Sequence, residues 1–336
     1  MISHNKSALV VFALREMLLG KRGLIKLNLL WLPMAVYVSF FKPEEDQDMV
    51  LIFLLLFLSI GCWALGNILA NDLCDSQIDL EAGKKRWICA LHPQIGAAVV
   101  ALIIAAGFGI QIFGGSWPAV GTYFGATAFG LGYSLNPFRF KERGAWGVLA
   151  YSLACALAYV LVPYFWMKPE SIWLVILFPV VLLDKWVNLH FHHILDYDAD
   201  SHRGIDTLAV RSGQTRSRKW LKNLSLLSSI LFVSVFVLIA RQFPGWFVLI
   251  CGLGAGVLVA AYVFVRVSKS RPSNSSSLVE ELPWSYLGLT LALFRLLPVM
   301  LFLRLALIDD RMWIPCVVAS AFLGLESFYN LCYRYE

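Results

Sequence analysis

The chain has 336 residues, 59% hydrophobic and only 15% charged, with a mean hydropathy of +0.70 and a formal net charge of +6. That balance excludes a soluble globular protein and places the chain in the polytopic membrane class, with the lipid bilayer as its medium and no nucleic-acid partner expected. Seven scattered cysteines without a Cys-x-x-Cys pair indicate neither a disulfide framework nor a zinc site.

Residues 1–22 are expected to form a cytoplasmic interfacial segment. Its apolar part, residues 8–19, is too short to cross a bilayer and carries Arg15 and Glu16, which suits an amphipathic helix lying along the surface. No removable signal peptide is expected. Apolar runs near the length of about 20 residues needed to span follow at 25–42, 48–70, 95–113, 118–134, 145–166, 171–194, 221–240, 245–266, 284–306 and 312–331. The polar stretch 267–282 reads as a flexible cytoplasmic linker rather than a domain boundary, so residues 1–336 are expected to form a single transmembrane domain.

Placing the N-terminus in the cytoplasm assigns 21 of the 28 Lys and Arg residues to that side and five to the other, with Lys185 and Arg295 inside spans. On this map two acidic stretches share the cytoplasmic face. The first, Asn71-Asp72-Leu73-Cys74-Asp75-Ser76-Gln77-Ile78-Asp79, ends the second span, and Asp196-Tyr197-Asp198-Ala199-Asp200 ends the sixth. Carboxylates near hydrocarbon are costly and mark function, and their hard oxygens suit Mg²⁺ shared with substrate phosphates.

Helical spacing sharpens both stretches. Asn67, Asn71, Asp75 and Asp79 recur every four residues, as do Asp184, Asn188, His192, Asp196 and Asp200, so each span is expected to carry a polar stripe to its cytoplasmic end. Among His190, His192 and His193 spacing alone permits zinc, and interfacial or hydrogen-bonding roles are the preferred reading, with His192 facing the cavity. Asp184 and Lys185 point about 100° apart and need not pair with each other. The fourth span closes on Tyr133-Ser134-Leu135-Asn136-Pro137-Phe138-Arg139-Phe140-Lys141, a cationic loop suited to a polyanion held between it and the carboxylates.

Taken together these motifs resemble those of the UbiA superfamily of intramembrane prenyltransferases. Asn71, Asp72, Asp75 and Asp79 match its first motif; Tyr133, Ser134, Pro137, Arg139 and Lys141 match its middle signature; Asp196, Asp200, Gly204, Thr207 and Leu208 match its second acidic motif. The chain departs from many members at His193, where they carry Asp, and in the segment Gly83–Trp87, where they read Arg-Pro.

The resemblance implies an all-α bundle of nine to ten transmembrane helices around a central cavity opening to the cytoplasmic face. It implies Mg²⁺-dependent transfer of a prenyl group from a prenyl diphosphate to a lipophilic acceptor, of aromatic or quinone type. Asp72, Asp75, Asp79, Asp196 and Asp200 would hold the metal, with Lys84, Arg139 and Lys141 on the leaving group. Asn67, Asn71, Tyr133, Ser134, Asn188 and His192 would bind substrate. A terpene cyclase of the same superfamily uses the same ionisation. An intramembrane cation transporter is disfavoured because the acidic residues cluster on one face. A CDP-alcohol phosphotransferase is disfavoured because the Asp-Gly-x-x-Ala-Arg signature is absent.

Overall fold

In hydrocarbon every backbone N–H and C=O must be bonded within its own segment, so the apolar runs of this chain are constrained to helix. The computed structural model describes residues 28–41, 48–81, 86–245, 252, 256 and 284–333, and among them no strand forms. The helices are α1 (Asn28–Phe40), α2 (Met49–Cys74), α3 (Ser76–Glu81), α4 (Pro93–Gly114), α5 (Trp117–Ser134), α6 (Ala145–Met167), α7 (Ser171–Leu195), α8 (Tyr197–His202), α9 (Leu208–Ser212), α10 (Gln214–Gln242), α11 (Tyr286–Ala306) and α12 (Trp313–Tyr333). Six of these, α2, α4, α6, α7, α10 and α11, are long and apolar enough to cross a membrane. The expected interfacial segment 1–22 and linker 267–282 lie outside the described residues, as does nearly all of the run 245–266.

Helix ends differ from the apolar runs where polar residues continue the hydrogen-bond ladder. α2 runs on to Cys74 rather than stopping at 70, and α10 starts at Gln214 rather than 221, taking in Arg216, Arg218 and Lys219. Hydropathy follows the apolar run, whereas the helical hydrogen-bond ladder continues into polar sequence. Two π-turns interrupt spans, Leu157–Leu161 in α6 and Ala292–Leu296 in α11. Each lies directly before a proline, Pro163 or Pro298, whose missing N–H and ring disturb the preceding turn.

Packing without a hydrophobic driving force relies on close contact and interhelical hydrogen bonds. One core cluster runs from Leu29 on α1 to Leu323 on α12, with Trp31 stacked on Phe57 at 5.4 Å and tilted against Phe322 at 5.7 Å. At the end of the bundle remote from the acidic stretches, buried Gln111 of α4 donates to Ser59 Oγ at 2.8 Å and accepts from Trp166 Nε1 at 2.8 Å. Tyr123 donates to Ser59 O at 2.9 Å, which ties α5 to α2 as well. Here the polar groups are satisfied within the protein and fasten four helices.

Candidate functional site

Both acidic stretches use the same local device. α2 ends at Cys74, Asp75 sits at the break, and α3 follows as a helix of 6 residues; α7 ends at Leu195, Asp196 sits at the break, and α8 follows as another of 6. Four-residue bonds bridge each break: Asp75 N to Asn71 O at 3.0 Å and Asp79 N to Asp75 O at 2.7 Å, then Asp196 N to His192 O at 2.9 Å and Asp200 N to Asp196 O at 2.8 Å. The expected stripes therefore persist, although each crosses two helices rather than one.

Asp72 and Asp79 are buried, at 6% and 5% exposure, and both face Arg86. Arg86 Nε donates to Asp79 Oδ2 at 2.9 Å and lies 3.7 Å from Asp72 Oδ1. Burial works against the Arg86 charge, but the Asp79 hydrogen bond and the two carboxylate charges outweigh it and hold the guanidinium above its ordinary value. Asp75 is half-buried and takes the Lys141 ammonium directly, with Arg139 at 3.8 Å. The middle motif reaches Asp75 through Arg139, whose φ of 36° places it in the left-handed region, followed by the tight turn Phe140–Glu142. A non-glycine residue pays strain there, and Arg139 N to Leu135 O at 2.8 Å and Arg143 to Pro137 O at 2.7 Å hold the loop in shape. Ser134 donates to Asn71 Oδ1 at 2.8 Å, while Tyr133 tilts against Tyr151 at 5.6 Å.

The same loop reaches the second acidic stretch. Gly144 N donates to Asp206 O at 2.9 Å, and Gly144 and Thr207 form a parallel bridge. The segments after α2, α5 and α7 thus meet at one end of the bundle. Gly204 turns at a φ of 67°, Thr207 caps α9, and Leu208 is buried, so these three motif residues shape the local backbone. Asp196 is exposed and Asp200 half-buried.

Deeper in the bundle, Asn67 Nδ2 donates to Trp63 O at 2.7 Å while its Oδ1 packs against Gly130 without a hydrogen bond. His192 is exposed; His190 is buried, with Nε2 3.0 Å from Ser217 O, and His193 is buried as well, so the three rings face different surroundings. Asp184 pairs with Tyr286 rather than with Lys185, whose Nζ lies 5.9 Å over the Tyr159 ring. Lys84 lies outside the described residues.

Two residues of this arrangement escape sequence reasoning. Arg86 is one of three consecutive cations after the first motif, of which Lys84 and not Arg86 is singled out from sequence. Tyr286 stands 102 residues from Asp184 and carries no spacing signal.

The donor set fits a hard divalent cation, because it consists of carboxylate oxygens without a thiolate. Among the described residues no three His, Cys, Asp or Glu side chains converge on a point. Carboxylate oxygens are the donors that Mg²⁺ commonly shares with phosphate oxygens.

The sequence profile described as the UbiA prenyltransferase family matches residues 30–286. No curated protein sequence matches significantly. Among solved structures, a UbiA homolog from Archaeoglobus fulgidus bound to DMAPP and Mg²⁺ is 18% identical, with a TM-score of 0.54 over 80% of this chain and 94% of that one. A digeranylgeranylglyceryl phosphate synthase is 17% identical, with a TM-score of 0.59 over 85% and 98%. The apo UbiA homolog from Aeropyrum pernix K1 is 16% identical, with a TM-score of 0.51 over 85% and 98%.

Proposed function

Because the chain belongs to the UbiA prenyltransferase family, we propose that this integral membrane protein transfers a prenyl group from a prenyl diphosphate to a lipophilic acceptor of aromatic or quinone type. The observation that carries the reading is the interleaving of Asp72, Asp75 and Asp79 with Arg86, Arg139 and Lys141 at one end of the bundle. Alternating charges of this kind suit a cation and a polyanion bound together. Asp72, Asp75, Asp79, Asp196 and Asp200 would hold Mg²⁺, which when bound neutralises the diphosphate as charge develops on it. The A. fulgidus homolog bound to DMAPP and Mg²⁺ supports the same pairing of ligand and ion.

In the proposed reaction the bond between the prenyl C1 and the diphosphate oxygen breaks, C1 bonds to the acceptor, and the acceptor's proton is released. Arg86, Arg139 and Lys141 exchange their carboxylate partners for phosphate oxygens and stabilise the leaving group. Asn71 and Ser134, already bonded to each other, line its inner edge. The Tyr133 and Tyr151 rings offer π faces to the allylic cation, and the lipid-embedded site keeps water from it. Asn67, Asn188 and His192 are assigned to the acceptor side. The excess of Lys and Arg on loops at this end supports a cytoplasmic mouth.

The test is incubation of the full-length protein in lipid nanodiscs with radiolabelled geranylgeranyl diphosphate, Mg²⁺ and a membrane lipid extract. Label is expected in a prenylated lipid, with one diphosphate released per transfer and no turnover after EDTA. A cyclic hydrocarbon formed without extract would make the protein a cyclase, and absence of diphosphate release under every condition would refute the proposal.

A further inference from the structure

The side chains of Asn188 and His192 on α7, and of Asp196 at its end, are exposed and spaced by four residues, a row that begins at the second acidic stretch. At 1.5 Å of rise per residue Asn188 lies roughly 12 Å deeper than Asp196. One turn further in, Asp184 is buried. Asn188 Nδ2 donates to Asp184 O at 2.8 Å and to Asp184 Oδ2 at 2.9 Å. The other carboxylate oxygen, Oδ1, accepts from the Tyr286 hydroxyl at 2.9 Å. Tyr286 belongs to α11, is itself buried, and stacks on Phe232 of α10 at 5.8 Å.

The orientation of the Asn188 amide is dictated by chemistry. Both groups it meets, a main-chain carbonyl and a carboxylate, are acceptors, so only the NH₂ end can face them. The carbonyl Oδ1 is thereby turned to the exposed side of α7, where it receives no hydrogen bond from a described residue. A clamp that only joined α7 to α11 would need Asp184 and Tyr286 alone. Asn188 adds a fixed acceptor atom on the face that leads to the acidic stretch.

We propose that Asn188, held by Asp184 and Tyr286, orients the prenyl acceptor by taking a hydrogen bond from it, and that the acceptor therefore carries a hydroxyl or N–H donor. The inference rests on the prenyl-transfer reading. An amide carbonyl does not take up a proton at neutral pH, so Asn188 orients the acceptor and does not deprotonate it. Asp184 and Tyr286 are positioning residues that act through Asn188.

The test uses the full-length protein in lipid nanodiscs with geranylgeranyl diphosphate, Mg²⁺ and a membrane lipid extract as acceptor source. Asn188→Ala is expected to raise the extract concentration giving half-maximal transfer roughly tenfold, leaving the half-saturating geranylgeranyl diphosphate concentration unchanged. Asn188→Asp places a second carboxylate against Asp184 and is expected to lose at least as much. Combining it with Asp184→Asn exchanges donor and acceptor within the side-chain bond but leaves a carboxylate oxygen against the main-chain carbonyl of residue 184, so recovery of only part of the loss is expected. Tyr286→Phe keeps the ring packing and is expected to shift the acceptor constant alone, by less. Mass spectrometry of the product is expected to identify an acceptor with a hydroxyl or N–H.

Equal effects of Asn188→Ala on both substrates, no effect on either, or an acceptor lacking a donor would each overturn the inference while leaving prenyl transfer intact. A wild-type protein that neither releases diphosphate nor transfers label overturns both.

Discussion

Arg86 donates to Asp79 at 2.9 Å and lies 3.7 Å from Asp72, so a single guanidinium stands between two buried carboxylates. Removing it takes a cationic partner from each of two buried carboxylates. Arg86→Ala is expected to cost about 3 kcal/mol of stability, at the low end for breaking a buried pair, seen as a lower thermal midpoint in detergent. Arg86→Lys should recover only part of this, because a point ammonium cannot reproduce the planar fork. The carboxylates themselves were legible from their spacing of three and four. Of their cations, Arg139 and Lys141 were legible individually and both meet Asp75. From the run Lys84-Lys85-Arg86, by contrast, Lys84, which lies outside the described residues, was the one expected at the site, and the Arg86 that meets Asp72 and Asp79 was not singled out. The Tyr286–Asp184 bond was not legible at all, since it depends on how α11 packs on α10 and α7.

The loop between α5 and α6 connects the two acidic stretches, and its backbone leaves little room. A Cβ on Gly147 would stand 2.5 Å from Phe140 O and 3.1 Å from Lys141 Cα. Gly147→Ala is therefore expected to push Lys141 away from Asp75 and weaken prenyl diphosphate binding at least tenfold, measurable by isothermal titration, with the helical content of the circular dichroism spectrum retained. At the other end of this loop Gly144 meets Asp206, whose carboxylate is held below its ordinary value by the Arg211 hydrogen bond. The depressed value fixes the sign: the pair stabilises the fold above the ordinary carboxylate range and loses its contribution as pH falls through the depressed value. Asp206→Asn should show a small thermal deficit at pH 7 that disappears in acid, small because both groups are exposed to solvent. Apolar runs predicted these helices well and their ends poorly, since hydropathy does not register polar turns such as Gln214–Trp220 that continue a helix beyond the hydrocarbon.

Across the molecule, helix order delivers three motif-bearing ends to one side of the bundle, where Asp75 bonds Lys141 and Gly144 bonds Asp206. Alternation of spans and the Lys/Arg asymmetry anticipated this shared side from sequence. The π-turns before Pro163 and Pro298, and the clamp of Gln111, Ser59 and Trp166 at the opposite end, needed tertiary context. The proposed function has the two acidic stretches act as one site although more than a hundred residues separate them. The most direct test is Mg²⁺-dependent binding and turnover of geranylgeranyl diphosphate by the reconstituted protein carrying Asp72→Ala, Asp196→Ala or both. Loss of Mg²⁺-dependent binding by about tenfold or more in each single variant, with little further loss in the double, is the predicted result for groups holding one ligand. Metal-dependent binding and turnover retained in both single variants would contradict it.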